Sequence, residues 1–195
     1  MTDSSTPLMT KSLSDSTVPK IVIGLHGPAG SGKSFFASVI EDEALRQHLA
    51  IRRMPFAGPL KRVASSMGWN GKKDGKGRRL LQLIGTECGR KCISEDLWVD
   101  KWRRELDDTQ ANCVIVDDVR FPNELSALKA VGGYAVKLKD ARSLAWRLRA
   151  TFGLLHKSEV PLPDAGFDDV IFNEKKGNGF MSLVAFEIIH KMRGR

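Results

Sequence analysis

The chain has few cysteines, few aromatic residues and no long apolar run. Cys88, Cys92 and Cys113 are its only three cysteines in 195 residues. The first two are four apart and match no metal-binding spacing. An odd count with no secretory leader favours reduced thiols in packing roles over a disulfide framework. No stretch approaches the ~18 apolar residues that a membrane helix needs. The first residues also lack a basic region backed by an apolar one, so a cytosolic protein is expected and a membrane-spanning one is not. Aromatic residues make up 7% of the chain and are not interleaved with the basic ones, as a stacking platform for nucleic acid would require.

What the chain has in excess is positive charge: 31 Lys and Arg against 23 Asp and Glu, a net +8. Such a balance suits either a nucleic-acid surface or a site that handles several phosphates at once. The basic residues are dispersed (Arg52-Arg53, Lys72-Lys73, Arg78-Arg79, Arg103-Arg104, Arg147 and Arg149) rather than gathered in one block, which favours the second reading. The length suits one α/β domain able to bury its own core. There are no internal repeats and no linker that would divide it.

Ile21 to Leu25 is an apolar run, and Gly27-Pro-Ala29-Gly30-Ser31-Gly32-Lys33-Ser34 follows it. This is G-x-x-x-x-G-K-[ST] between a strand and a helix, a phosphate cradle. Its glycines let backbone N–H groups turn inward, Lys33 reaches the β/γ oxygens, and the Ser34 hydroxyl can ligate Mg²⁺. The helix that follows, Lys33 to Leu49, points its positive end at the same anion. ATP and Mg²⁺ are the expected cofactors. His26 reads as a local hydrogen-bonding residue.

Further along, a short strand is expected over Ile51–Phe56 and a helix from Gly58-Pro59 to Met67. A glycine-rich loop spans 68–77, with helices over Arg78–Arg90 (Leu80, Leu81, Leu83 and Ile84 inward) and Ser94–Leu106. Cys113–Val116 is a continuous apolar run, typical of a strand buried on both faces. A helix from Pro122, a strand Tyr134–Leu138, a basic helix Ala141–Phe152, a strand Val170–Phe172 and a helix Phe180–Met192 complete the order. Strands alternating with helices imply a parallel sheet with right-handed crossovers. Residues 1–18, rich in Ser and Thr, read as a mobile tail. The apolar strip on the last helix could be core or an interface between two copies.

A phosphate cradle needs a carboxylate for its metal at the C-terminal end of a buried strand. Asp117-Asp118 closes the Cys113–Val116 run, and because side chains alternate across a strand, only one of the two faces the site squarely. Arg120, two residues on, would stand at the mouth of the sheet where a second phosphate docks, a task that suits a bidentate guanidinium. Arg78, Arg79 and Arg90 bracket a helix between the second strand and the Asp-bearing strand. Arg142, Arg147 and Arg149 lie on the basic helix, where a closing lid would stabilise the transferred phosphoryl group.

These residues sit within longer motifs. Phe56-Ala57 is followed by Pro59-Leu60-Lys61, and Gly71-Lys-Lys-Asp74 by Gly77-Arg-Arg-Leu-Leu-Gln82. Gly85-Thr-Glu87 precedes Gly89-Arg90, and Asp118-Val-Arg-Phe-Pro-Asn-Glu124 follows. His156-Lys-Ser-Glu159 and Val170-Ile-Phe-Asn173 come last. In this order, over residues 20–190, the chain resembles the deoxynucleoside monophosphate kinases of tailed bacteriophages. The resemblance implies a three-layer P-loop kinase fold, with a parallel five-stranded sheet over 19–195, an acceptor-binding helical insertion at about 57–108 and a small lid at about 140–160. It implies transfer of the ATP γ-phosphate to a dNMP, giving dNDP and ADP, with Mg²⁺, in the cytoplasm of the host cell. By position, Gly27 to Ser34 hold ATP with Asn173 near the adenine. Asp118 is the family's aspartate, with Asp117 beside it. Lys61, Arg79, Arg90, Arg120 and Glu124 face the acceptor. His156, Ser158 and Glu159 either brace the lid hinge or act in catalysis.

Two rival readings stand beside this one. A P-loop kinase for another small phosphorylated or hydroxylated acceptor would share the donor site. A DNA-dependent ATPase is motivated only by the net charge and would bind DNA with a steep salt dependence.

Overall fold

Alternation along the strands decides the architecture. In the computed structural model, which describes residues 21–140, 160–173 and 178–194, five strands form one sheet: β1 (Ile21–His26), β2 (Ile51–Arg53), β3 (Cys113–Val116), β4 (Tyr134–Asp140) and β5 (Asp169–Asn173). Their order is β2-β3-β1-β4-β5, and every neighbouring pair is parallel. Ile21, Ile23, Leu25, Cys113, Ile115, Tyr134, Val136 and Leu138 point to one face. There they meet α1 (Lys33–Arg46) through Phe36, Ala37, Ile40 and Ala44, and the C-terminal helix α6 (Asn178–Arg193) through Met181, Ala185, Ile188 and Ile189. The intervening residues Val22, Val114, Val116 and Ala135 point the other way. They pack on Trp102 and Leu106 of α4 (Leu97–Asp107) and on Ala127 and Leu128 of α5 (Pro122–Ala130). Period-two burial on both faces makes this a three-layer α/β fold, a parallel sheet with helices on either side.

Between β2 and β3 the chain makes a long helical excursion. It comprises α2 (Ala57–Ser66), α3 (Gly75–Gln82), a π-helix (Leu83–Ile93) and α4. The helix expected over Arg78–Arg90 therefore begins earlier, where Asp74 caps α3 by accepting from the Gly77 N–H at 2.8 Å. It then widens into i→i+5 winding. Two glycines let this segment pack closely. A Cβ on Gly85 would lie 3.0 Å from Leu60, and one on Gly89 would lie 2.8 Å from the Ile84 carbonyl and 2.9 Å from the Trp98 ring. The Trp98 indole N–H donates to the Gly85 carbonyl at 2.9 Å. In this tight seam Gly77, Gly85, Thr86 and Gly89 are buried, whereas Leu80, Leu81, Leu83 and Ile84 are only half-buried. The expectation that those four aliphatic residues form the inward face is corrected accordingly.

Other boundaries shift by a few residues. β2 stops at Arg53 because the chain turns into α2, and α4 starts at Leu97. Cys113 packs in the core, but Cys88 and Cys92 are exposed, so packing roles hold for one thiol of three. On α6 the apolar strip resolves into two stripes: an inward one in the core, and an outward one of Phe180, Leu183 and Phe186. Among the described residues no helix is long and apolar enough to cross a membrane. The expected tail (1–18), the basic helix with Arg142, Arg147 and Arg149, and His156, Ser158 and Glu159 lie outside the described residues.

Candidate phosphate-binding site

The end of β1 leads straight into the glycine-rich turn, so the sheet's C-terminal edge and the start of α1 share one mouth. Gly32 is the residue before α1 and has φ of +92°, a left-handed conformation that a side chain resists. A Cβ there would also come within 2.3 Å of Asn173 Nδ2. On Gly27 it would meet the Leu138 carbonyl at 2.5 Å and Ser31 Oγ at 2.7 Å. The loop thus folds where only glycine fits. Asn173, expected near an adenine, reaches the loop and donates to the Ser31 carbonyl at 2.9 Å.

Lys33 Nζ donates to the carbonyls of Gly27 and Pro28, both at 2.7 Å, which places the ammonium inside the turn. Burial, and then the charge of Arg120, lower its pKa to about 8, against the opposing pull of Asp117 and Asp118. Among the described residues Ser31 Oγ is a buried hydroxyl with no hydrogen-bond partner, which is costly unless a ligand completes it. Ser34 is exposed at the start of α1. A glycine-only cradle, an orphan hydroxyl and a half-buried lysine fit a bound phosphate chain. The Ser34 hydroxyl and a carboxylate at the end of β3 fit its divalent metal.

The two aspartates after β3 differ in surroundings. Asp118 accepts from the backbone N–H of Phe56 at 2.8 Å through Oδ1 and from that of Ala57 at 3.0 Å through Oδ2. Burial is the largest influence on its carboxyl and raises its pKa, ahead of the opposing Ala57 hydrogen bond. Asp117 lies 4.0 Å from Arg53 Nη1, its side chain 24% exposed. Arg53 itself is held by Glu41 at 2.5 Å and by Ser38 Oγ at 2.9 Å.

Arg120 is exposed at the mouth, and its position is set by Glu124. The Glu124 carboxylate accepts from the Arg120 N–H at 2.7 Å and the Phe121 N–H at 3.1 Å, closing the first turn of α5 from within. Its other oxygen takes the Arg90 guanidinium at 2.5 Å, with the two side chains only 9% and 4% exposed. Arg90 also lies 4.0 Å over the Phe121 ring and donates to the Glu95 carbonyl at 2.8 Å. Arg90 and Glu124, both expected to face an acceptor, are therefore turned toward each other and brace the loop that carries Arg120. Arg79 is exposed on α3, and Lys61 on α2 is half-buried, near enough to act on Asp118 electrostatically.

His26 is a hydrogen-bonding residue, as expected. Its Nδ1 lies 2.8 Å from the Val119 carbonyl and its Nε2 accepts from the Leu162 N–H at 3.4 Å. Beside it Lys137 donates to the Leu162 carbonyl and pairs with Asp164 at 2.6 Å. Together they pin the segment after residue 160 onto the sheet. The sequence carried no signal for Arg53 beyond its charge, nor for the Phe56 and Ala57 amides.

No family model matches the chain. It is 28% identical over 193 residues to a protein of Acanthamoeba polyphaga mimivirus with the provisional name deoxynucleotide monophosphate kinase, an alignment covering 84% of this chain and 94% of that one. It is 36% identical over 109 residues to the deoxynucleoside-5'-monophosphate kinase of Escherichia phage T5, covering 56% of this chain and 44% of that enzyme. Among solved structures, the APS kinase of Mycobacterium tuberculosis in complex with AMPPNP and APS superposes at a TM-score of 0.47 and 14% identity, over 90% of this chain and 98% of that one. By sequence, the chain is similar to two viral proteins named as deoxynucleotide monophosphate kinases.

Proposed function

We propose that the protein is a deoxynucleoside monophosphate kinase of the cytoplasm, moving the γ-phosphate of ATP onto a dNMP to give dNDP and ADP. The observation that carries this reading is Arg120, an exposed arginine whose backbone N–H is held by Glu124 and whose charge acts on Lys33. An ATPase that only hydrolyses needs one phosphate site, whereas a kinase with a phosphorylated acceptor needs cations for two. The names of the two viral relatives support the same acceptor class.

In this reading Gly27 to Ser34 wrap the ATP phosphates, with Ser31 Oγ and the loop amides donating to them. Lys33 follows the charge as it moves. Ser34 and one carboxylate of the Asp117-Asp118 pair would hold Mg²⁺, which neutralises the β- and γ-phosphate oxygens when bound. Arg120, with Lys61 and Arg79 from the helical excursion, orients the dNMP phosphate. An oxygen of that phosphate attacks the γ-phosphorus. As the new P–O bond forms, the bond to the β,γ-bridging oxygen breaks and ADP leaves with the electron pair. The acceptor oxygen is already anionic near neutral pH, so no base is required, and positioning with charge neutralisation suffices. Arg142 and Arg147 enter as lid residues by their place in the sequence alone. The reading needs no nucleic-acid partner, and the outer stripe of α6 is where a second copy of the chain would pack if the enzyme pairs.

The test is ADP release with ATP, Mg²⁺ and each dNMP and NMP in turn. Acceptor-dependent turnover with one or more dNMPs is expected. Turnover only with an unrelated acceptor, or hydrolysis stimulated only by DNA, would overturn the proposal.

A further inference from the structure

Two adjacent aspartates at the end of one strand invite a single role, but their partners separate them. α2 opens at Phe56, which has no side chain able to cap the first free amides of a helix. Asp118 supplies that cap from 62 and 61 residues away, one oxygen to each of the Phe56 and Ala57 N–H groups. The carboxylate therefore joins the first turn of α2, and through it Lys61, to the strand end beside the phosphate cradle. Asp117 accepts from neither amide. It is half-buried, and its nearest described cation outside the cradle is Arg53, which Glu41 and Ser38 hold in place.

On the kinase reading given above, we propose that the pair divides its work. Asp118 is a positioning residue that latches the acceptor arm to the sheet. Asp117, kept in place by Arg53, is the carboxylate that faces the metal of the bound nucleotide. The chemistry of the contacts favours this split. A carboxylate that already receives two backbone N–H groups has its charge compensated by fixed dipoles, and drawing it onto a cation would uncap α2. Among the described residues the other carboxylate pairs with a guanidinium 4.0 Å away, beyond hydrogen-bonding reach.

Asp117→Asn and Asp118→Asn in the full chain separate the roles by measurements that need no acceptor. The first is amide hydrogen exchange of the segment spanning Phe56–Lys61; the second is affinity for ATP with Mn²⁺ as the probe metal. In Asp118→Asn, exchange of that segment is expected to quicken by about tenfold, with Mn²⁺–ATP affinity held within about twofold. In Asp117→Asn, exchange is expected to match the wild type, while Mn²⁺–ATP binding weakens by about tenfold or more. Arg53→Met should weaken Mn²⁺–ATP binding in the same direction, by less. A loss of Mn²⁺–ATP affinity in Asp118→Asn with unchanged exchange would overturn the assignment, as would wild-type affinity in Asp117→Asn. If Asp118→Asn does not fold, the Asp117→Asn affinity decides the matter, since that side chain caps no helix. Failure of the acceptor panel would remove the kinase reading, but exchange at Phe56–Lys61 would still report whether Asp118 is a latch.

Discussion

The side-chain amide of Asn173, at the end of β5, donates to the carbonyl of Ser31 in the glycine-rich turn at 2.9 Å. The edge strand of the sheet thus holds the phosphate cradle from the side, and the fit leaves no room for a methyl group on Gly32. Asn173→Ala removes this hydrogen bond, a net contribution of about 1 kcal/mol, and should weaken ATP by about fivefold as read by calorimetry. Gly32→Ala adds both left-handed strain and a clash with Asn173, and should abolish measurable ATP binding. Wild-type affinity in Gly32→Ala would show that the cradle is not the ATP site.

Lys33 bears on pH. Its pKa is lowered to about 8 by burial and by Arg120, while a bound polyphosphate favours the charged form. ATP affinity should therefore be level below pH 8 and fall above it by up to about tenfold per pH unit. Binding at pH 8.5 should take up a proton, which calorimetry in buffers of different ionisation enthalpy detects. An affinity constant from pH 7 to 9.5 would place the lysine elsewhere. Lys33→Ala should lower kcat and kcat/KM together, because the lost interaction is with charge that moves during transfer.

Arg120 separates donor from acceptor. Arg120→Ala should raise the KM for the dNMP by about tenfold or more, the scale of a lost charge-assisted contact, and leave ATP binding within a few-fold of wild type. Equal losses of both affinities would argue that the guanidinium serves the ATP phosphates instead.

His26 makes the fold acid-sensitive. Burial is the largest influence that lowers its pKa, to about 4 from 6.5. The neutral ring bonds Val119 and Leu162, and the unfolded chain takes up a proton first on acidification. Its contribution is present in full above pH 6.5 and is lost progressively as the pH falls to about 4, in all about 3 kcal/mol. Urea unfolding at pH 7.5 and 4.5 should show a smaller difference for His26→Gln than for the wild type.

Some of this was legible in the sequence because it rests on local pattern. The strand–turn–helix around Gly27 to Ser34 and the buried run Cys113–Val116 announce themselves by motif and by unbroken apolarity. Phe36, Val39, Ile40 and Ala44 are all buried, as helical spacing requires. What stayed hidden depends on partners far along the chain. Arg90 and Glu124 are 34 residues apart, and no period in either segment says that they will be spent on one another. Asp118 and Asp117 are indistinguishable as letters, and only the arrival of the Phe56 and Ala57 amides tells them apart. Cys88 and Cys92 are exposed on the wide winding of their helix, where Leu60 and Trp98 approach Gly85 and Gly89.

That winding has a consequence for how the chain can vary. Along Leu83–Ile93 each turn consumes more residues than an α-turn does, so Arg90 arrives at Glu124 at an angle that depends on the residue count of the segment. Deleting one residue there would let the helix relax to ordinary α-winding and carry the guanidinium around the axis, out of line with its carboxylate. The loop bearing Arg120 would lose its brace although every residue of the mouth remained in place. The length of this helix is therefore itself a working part of the site, and substitution should be tolerated there far better than insertion or deletion.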